Sequence, residues 1–114
     1  MDVVQPHPHK TSKSLSVFPE LKDWLRKSNS LEIYEKEKLI ELITSRHNFG
    51  VGKYETGLKT YNGRDPDLDA KQELGDCLQY LYQCKMEGKD ISKENILLLK
   101  VIGELVTSFS NIHS

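Results

Sequence analysis

Three carboxylates on one predicted helix are the side chains of this sequence best suited to chemistry. Asp69, Glu73 and Asp76 follow one another at i, i+4 and i+7, so at about 100° per residue they lie within about 60° of one another. They repel by a few tenths of a kcal/mol per pair, and no lysine or arginine stands three or four residues away to relieve them. A solvated acidic face explains this spacing, and so does a site for Mg²⁺, a hard cation that binds carboxylates.

The segment before this helix carries residues suited to a phosphate ligand. Lys53 and Arg64 supply cations, which hold phosphate oxygens on the side away from a metal. Tyr54 or Tyr61 offers a ring for stacking on a base, and Asn62 with Gly63 forms a tight turn that brings backbone amides near a ligand. Each residue alone is typical of a surface loop. Together they predict a pocket for a metal–phosphate ligand.

Two helices are predicted before this segment. The first is short, begins near Pro19, where proline suits the first helical turn, and ends at the polar residues 28–30. The second is expected over residues 31–46, with Ser30 as its N-cap and an apolar stripe on one side. The glycines in the range 48–52 are expected to end it.

Two more helices are predicted after the segment. The third has the clearest start, because Asp65 can cap it, Pro66 suits its first position, and Gly88 follows its end at Glu87. The fourth begins at Ser92, and its sequence ILLLKVIGELV is apolar over more than one face. That excess fits a subunit interface and fits equally a central helix inside one chain.

Composition restricts the class of protein. No strand pattern competes with the helices, so we expect an all-α bundle of three long helices and a short one, in a single domain over residues 16–114. Residues 1–15 are polar, lack an apolar period and are expected to be disordered.

The net charge of −1 provides no field for a nucleic-acid polymer or an anionic membrane. The sequence shows no spanning segment or signal peptide, so a cytoplasmic location is expected.

The segment KYETGLKTYNGRDPDLDAKQELGDCLQYLYQ, residues 53–83, resembles the MazG-like all-α nucleoside triphosphate pyrophosphohydrolases. The resemblance is strongest to the compact viral and phage branch, in which a KYG turn, an NGRD loop and a D-A-x-x-E-x-x-D helix follow in that order. The corresponding residues here are Lys53-Tyr54-Glu55, then Asn62-Gly63-Arg64-Asp65, then Asp69, Ala70, Glu73 and Asp76.

This resemblance implies a site, a reaction and an assembly. It implies Mg²⁺, or Mn²⁺ in its place, and attack of metal-activated water on the α-phosphorus, which yields a nucleoside monophosphate and pyrophosphate. It also implies a homodimer or homotetramer, in the host cytoplasm if the chain is viral. The implied metal ligands are Glu41, Asp69, Glu73 and Asp76, of which Glu41, Glu73 and Asp76 are the catalytic candidates; the implied substrate contacts are Lys53, Tyr54, Asn62, Arg64 and Asp65.

The chain departs from the family pattern in two places. Glu55 stands where the KYG turn has glycine. The second helix lacks a clear ExxE motif facing the ligand helix, although Glu37 and Glu41 share a face and offer a substitute. With fewer carboxylates the metal affinity falls, so a second hypothesis is a helical module that retains the fold, has weak or no catalysis, and acts through nucleotide binding or protein–protein interaction.

Overall fold

The computed structural model describes residues 4–7 and 14–113, with side chains as far as Phe109, and its regular structure is helical. Within those ranges no strand is formed, and a single antiparallel bridge joins Ser16 to Lys59. The predicted all-α class, with one short and three long helices, is confirmed. The helices are α1 (Val17–Arg26), α2 (Ile33–Tyr54), α3 (Pro66–Glu87) and α4 (Lys93–His113).

Helix α3 has the bounds that the sequence predicted, because local signals set both of its ends. The Asp65 carboxylate accepts the backbone N–H of Asp67 at 3.0 Å, and Pro66 occupies the first helical position. At the other end Gly88 adopts a φ of 68°, and Lys89 donates its N–H back to the carbonyl of Cys84 at 2.8 Å. This left-handed glycine ends the helix as in a Schellman motif.

Helix α4 begins where expected. Its cap is Ser92, whose hydroxyl oxygen accepts the backbone N–H of Asn95 at 3.2 Å. None of the helices among the described residues is both long and apolar enough to cross a membrane.

Helix α2 differs from its prediction at both ends. It begins at Ile33 rather than Leu31, and its N-cap is Glu32 rather than Ser30. The Glu32 backbone N–H donates to the Glu35 carboxylate at 2.9 Å, half of a capping box. At its C-terminus the helix continues through the glycines to Tyr54, so the predicted end at residue 46 is wrong.

Glu55 ends α2 in a conformation that favours glycine. Its φ is 61° and its ψ is 12°, in the left-handed region, and its N–H donates to the carbonyl of Val51 at 2.8 Å. A side chain in this region costs about 1 kcal/mol. The residue that departs from the KYG pattern therefore occupies the position where the backbone needs glycine.

Replacement of Glu55 by glycine is expected to stabilise the fold by about 1 kcal/mol, because glycine relieves the left-handed strain. The melting temperature should rise by about 4 °C in calorimetry at a fixed protein concentration. The control is Glu37→Gly, at an exposed position inside the same helix, which should destabilise by about 1 kcal/mol. A fall in melting temperature for both variants would contradict the assignment of strain to residue 55.

The chain forms two compact units, Met1–Leu78 and Gln79–Ser114, and α3 runs from one into the other. In the first unit α1 packs against α2 around three side chains that are at most 7% exposed, Leu25, Leu31 and Leu39. In the second unit Val101 of α4 is 8% exposed. The single domain expected over residues 16–114 stays a prediction.

Hydrogen bonds between residues 15–17 and 58–60 hold the loop of residues 55–65 against the start of α1. The Val17 N–H donates to the carbonyl of Leu58 at 3.0 Å, and the Thr60 N–H donates to the carbonyl of Leu15 at 2.8 Å. Lys59 Nζ lies 2.9 Å from the Ser16 hydroxyl. This pairing fixes the loop that precedes α3.

The predicted disorder of residues 1–15 falls partly on residues 1–3 and 8–13, which lie outside the described residues. Of the remainder, Leu15 pairs with Thr60 as above, and Gln5 to His7 contact the end of α2, the loop and the start of α3. The disorder of this range stays a prediction.

Candidate functional site

A cavity of about 440 Å³ lies in the first unit, bounded by α1, α2, the loop and the start of α3. Its lining brings together five of the residues predicted for the site: Tyr54, Asn62, Arg64, Asp69 and Glu73. These residues come from the end of α2, the NGRD loop and the acidic stripe, which are the three parts of the resembling segment.

The apolar side of the cavity is built on a pair of stacked rings. Phe18 of α1 and His47 of α2 have ring centroids 4.1 Å apart and planes inclined by 10°. Gly57 in the loop packs against the same imidazole, because a Cβ added there would lie 2.6 Å from His47 Cε1. Val17, Leu21 and Leu58 also line the cavity.

The polar side is dominated by an ion pair between the loop and α3. Arg64 Nη2 lies 2.7 Å from Asp69 Oδ1, and Arg64 Nε lies 3.0 Å from Asp69 Oδ2. The contact is bidentate, and the side chains are only 22% and 35% exposed. Such geometry is stronger than a single charged hydrogen bond. Arg64 therefore relieves the repulsion at the start of the acidic stripe.

The ion pair shifts the pKa values of Arg64 and Asp69, each in the direction that favours the charged form of the side chain. The hydrogen bond from Arg64 lowers the pKa of Asp69 below its ordinary value of 3.8, and the hydrogen bond from Gln5 adds to this effect. Hydrogen bonding to Asp69 likewise raises the pKa of Arg64. The Asp69 carboxylate is therefore ionised in the folded protein at pH values where the unfolded chain has begun to bind a proton.

The lowered pKa of Asp69 predicts a specific pH dependence of stability. The contribution of its charge should be complete above about pH 4 and lost as the pH falls through the native pKa. Asp69→Asn should cost about 1 kcal/mol near pH 7, since the pair is partly exposed and screened, and this difference from the parent should shrink as the pH falls through the lowered pKa of Asp69. Urea unfolding over this range measures it. The control Asp90→Asn measures the effect of losing one surface carboxylate outside this ion pair. A stability difference between Asp69→Asn and the parent that does not change with pH would contradict the prediction.

Asn62 is the one buried polar residue among those that the structure describes, at 7% exposure. Its Oδ1 accepts the backbone N–H of Arg64 at 3.1 Å, while the neighbouring Tyr61 and Gly63 have positive φ values of 52° and 82°. The amide thus holds the tight turn that presents Arg64, a structural role in addition to its predicted place in the substrate site.

The other predicted substrate contacts have different positions. Tyr54 lines the cavity, and Lys53 is exposed, with its ammonium 5.2 Å from the centre of the Tyr54 ring. The Asp65 carboxylate caps α3. Tyr54, Asn62 and Arg64 are therefore the predicted substrate contacts that line the cavity.

The predicted metal ligands are not gathered in one place. Asp69 and Glu73 line the cavity, whereas Glu41 lines a separate groove with Glu37, Arg26 and other residues of α1 and α2. Glu41 and Ile43 of the cavity lie about 160° apart around α2. In the part of the chain that the structure describes, no three His, Cys, Asp or Glu side chains form a group able to hold a metal ion. The four ligands thus remain a prediction that one copy of the chain does not assemble.

Sequence reasoning missed several residues of the cavity. Ile43, His47 and Gly50 line it, and together with the predicted Tyr54 they recur at i, i+4, i+7 and i+11 along α2. This period was present in the sequence, but the expected break at the glycines concealed it. Phe18 left no comparable signal, because its contact with His47 joins distant parts of the chain.

Comparison with known proteins gave no match to a family model, to a curated protein or to a solved structure. Function must therefore be argued from the cavity, the ion pair and the acidic stripe.

Proposed function

We propose that the chain is a Mg²⁺-dependent, MazG-like nucleoside triphosphate pyrophosphohydrolase that releases a nucleoside monophosphate and pyrophosphate. The observation that supports it is the meeting of Tyr54, Arg64, Asp69 and Glu73 around one cavity. An apolar wall beside a few charged groups is typical of small-molecule sites. The cavity therefore offers a base and a phosphate chain the two environments that they need.

Arg64 is the residue that we assign to the phosphates. Its guanidinium is held in place by Asp69 on two of its nitrogens, so little side-chain freedom is lost when a phosphate oxygen binds to the remaining N–H groups. Lys53, exposed beside Tyr54, supplies a second positive charge near the same wall.

Glu73 and Asp76 are the residues that would hold Mg²⁺. Both are exposed, and Mg²⁺ in nucleotide sites commonly takes only one or two carboxylates together with substrate phosphates. The chain's own residues fit that limited set, with Asp69 orienting Arg64 rather than meeting the metal directly. When bound, the ion would supply activation of water and neutralisation of charge. Glu41, from its separate groove, would contribute only from a second copy.

A homo-oligomer belongs to this proposal. On α4 four apolar side chains at 3-4-3 spacing, which is the spacing of a coiled-coil seam, are 39–58% exposed: Leu99, Ile102, Val106 and Phe109. We call these four residues the α4 stripe. On α3 no residue is buried, and Leu74 and Leu78 of its predicted apolar face are 49% and 70% exposed. Apolar surface of this extent favours association with a second copy.

The second hypothesis, a helical module with weak or no catalysis, is favoured by one observation. Asp69 is engaged by Arg64 and Gln5, and Glu41 lies in a different groove, so a single copy presents only part of the acidic set. This module would bind nucleotide or a protein partner without turnover.

The experiment is pyrophosphate release from a panel of canonical and modified nucleoside triphosphates, with Mg²⁺, with Mn²⁺ and with a chelator. Release that the chelator abolishes supports the hydrolase. A folded, oligomeric protein that releases nothing from any substrate, yet melts several degrees higher with Mg²⁺ and nucleotide, supports the binding module. The absence of both effects would contradict a nucleotide site.

A further inference from the structure

We propose that residues 4–7 are a strap that closes the Arg64 end of the cavity and competes with an anion for that end. This inference rests on the anion site of the proposed function and adds a means of controlling it. We call residues 4–7 the N-terminal strap.

Gln5 is the centre of the strap's contacts. Its side-chain Nε2 donates to Asp69 Oδ1 at 2.7 Å and to the backbone carbonyl of Asp65 at 3.1 Å. Its Oε1 accepts the Asp65 N–H at 2.5 Å. One neutral amide thus satisfies a backbone donor, a backbone acceptor and a carboxylate at the start of α3.

The next two strap residues continue along the same wall. The carbonyl of Pro6 accepts a hydrogen bond from Arg64 Nη1 at 2.7 Å. The ring of His7 meets the ring of Tyr54 edge to face, with centroids 5.0 Å apart. The strap therefore contacts Tyr54, Arg64 and Asp69, the groups that the proposed function assigns to ligand recognition or to its support.

The strap competes with an anion for specific atoms. Arg64 Nε and Nη2 serve Asp69, and Nη1 serves the Pro6 carbonyl. A phosphate oxygen that takes the Nη1 N–H donated to Pro6 must displace this carbonyl, and a base that stacks on Tyr54 where His7 lies must displace the His7 ring. A charged phosphate bonds more strongly to a guanidinium than a neutral carbonyl does, so the ligand has the advantage once it arrives.

The strap is also built to open. Val4 is 93% exposed, Pro6 and His7 are exposed, and only Gln5 is partly buried. The segment contributes no residue to the apolar core, so its release costs little beyond the polar contacts. Segments held in this way open locally without global unfolding.

The test compares binding of tripolyphosphate with Mg²⁺ to the parent chain, to Gln5→Ala and to the control Val4→Ala, by titration calorimetry. A strap that is closed for about 80% of the time lowers the apparent affinity about fivefold. Gln5→Ala should therefore bind about fivefold more tightly than the parent, and Val4→Ala should equal the parent. In NMR spectra of the parent, saturating tripolyphosphate should move the Asp65 amide resonance to its position in liganded Gln5→Ala.

Two results would overturn the strap and leave the proposed function standing. Equal binding by all three proteins would mean that the strap does not compete, and weaker binding by Gln5→Ala would place Gln5 in the ligand site. If no protein binds tripolyphosphate, Gln5→Ala included, then the anion site itself is absent, and both proposals are wrong.

Discussion

Replacement of Glu73 by glutamine is expected to reduce pyrophosphate release at least about 100-fold, a loss comparable to removing one charge-stabilising group from an active site. The substitution retains the size of the side chain and removes only its charge. Glu73 is exposed, lines the cavity and has no ion pair with Arg64. Its loss should therefore leave the melting temperature within about 2 °C of the parent, and steady-state kinetics with a melting curve measures both.

A control on the same helix separates a local effect from a general one. Glu87→Gln removes an exposed carboxylate from the last turn of α3, in the second compact unit. Its side chain accepts a hydrogen bond from Gln83 at 2.8 Å, which glutamine can also accept. Turnover should be unchanged in this variant. If Glu73→Gln retains full chelator-sensitive turnover, the acidic stripe is a solvated face and the hydrolase proposal fails.

The bounds of α3 were predictable because the signals lie within one or two residues of each end. Asp65 and Pro66 specify its start, and Gly88 specifies its end. Such caps act through the local backbone, so they do not depend on how the rest of the chain packs. The same holds for Ser92 at the start of α4.

The end of α2 was not predictable from local preference. Gly50 and Gly52 each disfavour a helix by about 1 kcal/mol, yet the helix continues through them to Tyr54. The residues on either side of them, His47 and Tyr54, face the cavity. The contacts that this end of α2 makes with α1, the loop and the strap therefore outweigh the cost of placing the two glycines in a helix.

The site was predictable only where its contacts join residues that are close together in the sequence. The ion pair of Arg64 with Asp69 could be predicted from the sequence, because the two residues are five positions apart and the turn at Asn62 directs the chain back. The stacking of Phe18 on His47 and the contacts of Gln5 with Asp65 join segments far apart in sequence. No period or motif in one sequence indicates such pairs.

Replacement of Val106 by aspartate is expected to dissociate the proposed homo-oligomer, with a dissociation constant raised about 100-fold or more. Val106 lies within the α4 stripe and is 58% exposed in one chain. If a second copy covers the stripe, aspartate places an unpaired charge against apolar side chains, at a cost of about 3 kcal/mol or more. Sedimentation velocity over a range of concentrations measures the shift.

The control lies on the other side of the helix. Ser108 is exposed and about 160° from Val106 around α4, and its hydroxyl donates to the carbonyl of Leu105 in its own helix. Ser108→Asp should therefore leave the association unchanged.

The two readings of the apolar helix α4 give different outcomes for Val106→Asp. If the stripe is a subunit interface, the variant is folded and helical by circular dichroism, but smaller in solution. If α4 is instead a central helix within one chain, the variant loses stability by several kcal/mol without any change of oligomeric state. The hydrolase proposal adds a further consequence: since Glu41 would reach Glu73 only from a second copy, the dissociated variant should also lose turnover. Full turnover by a monomer would show that one copy is sufficient and would remove Glu41 from the site.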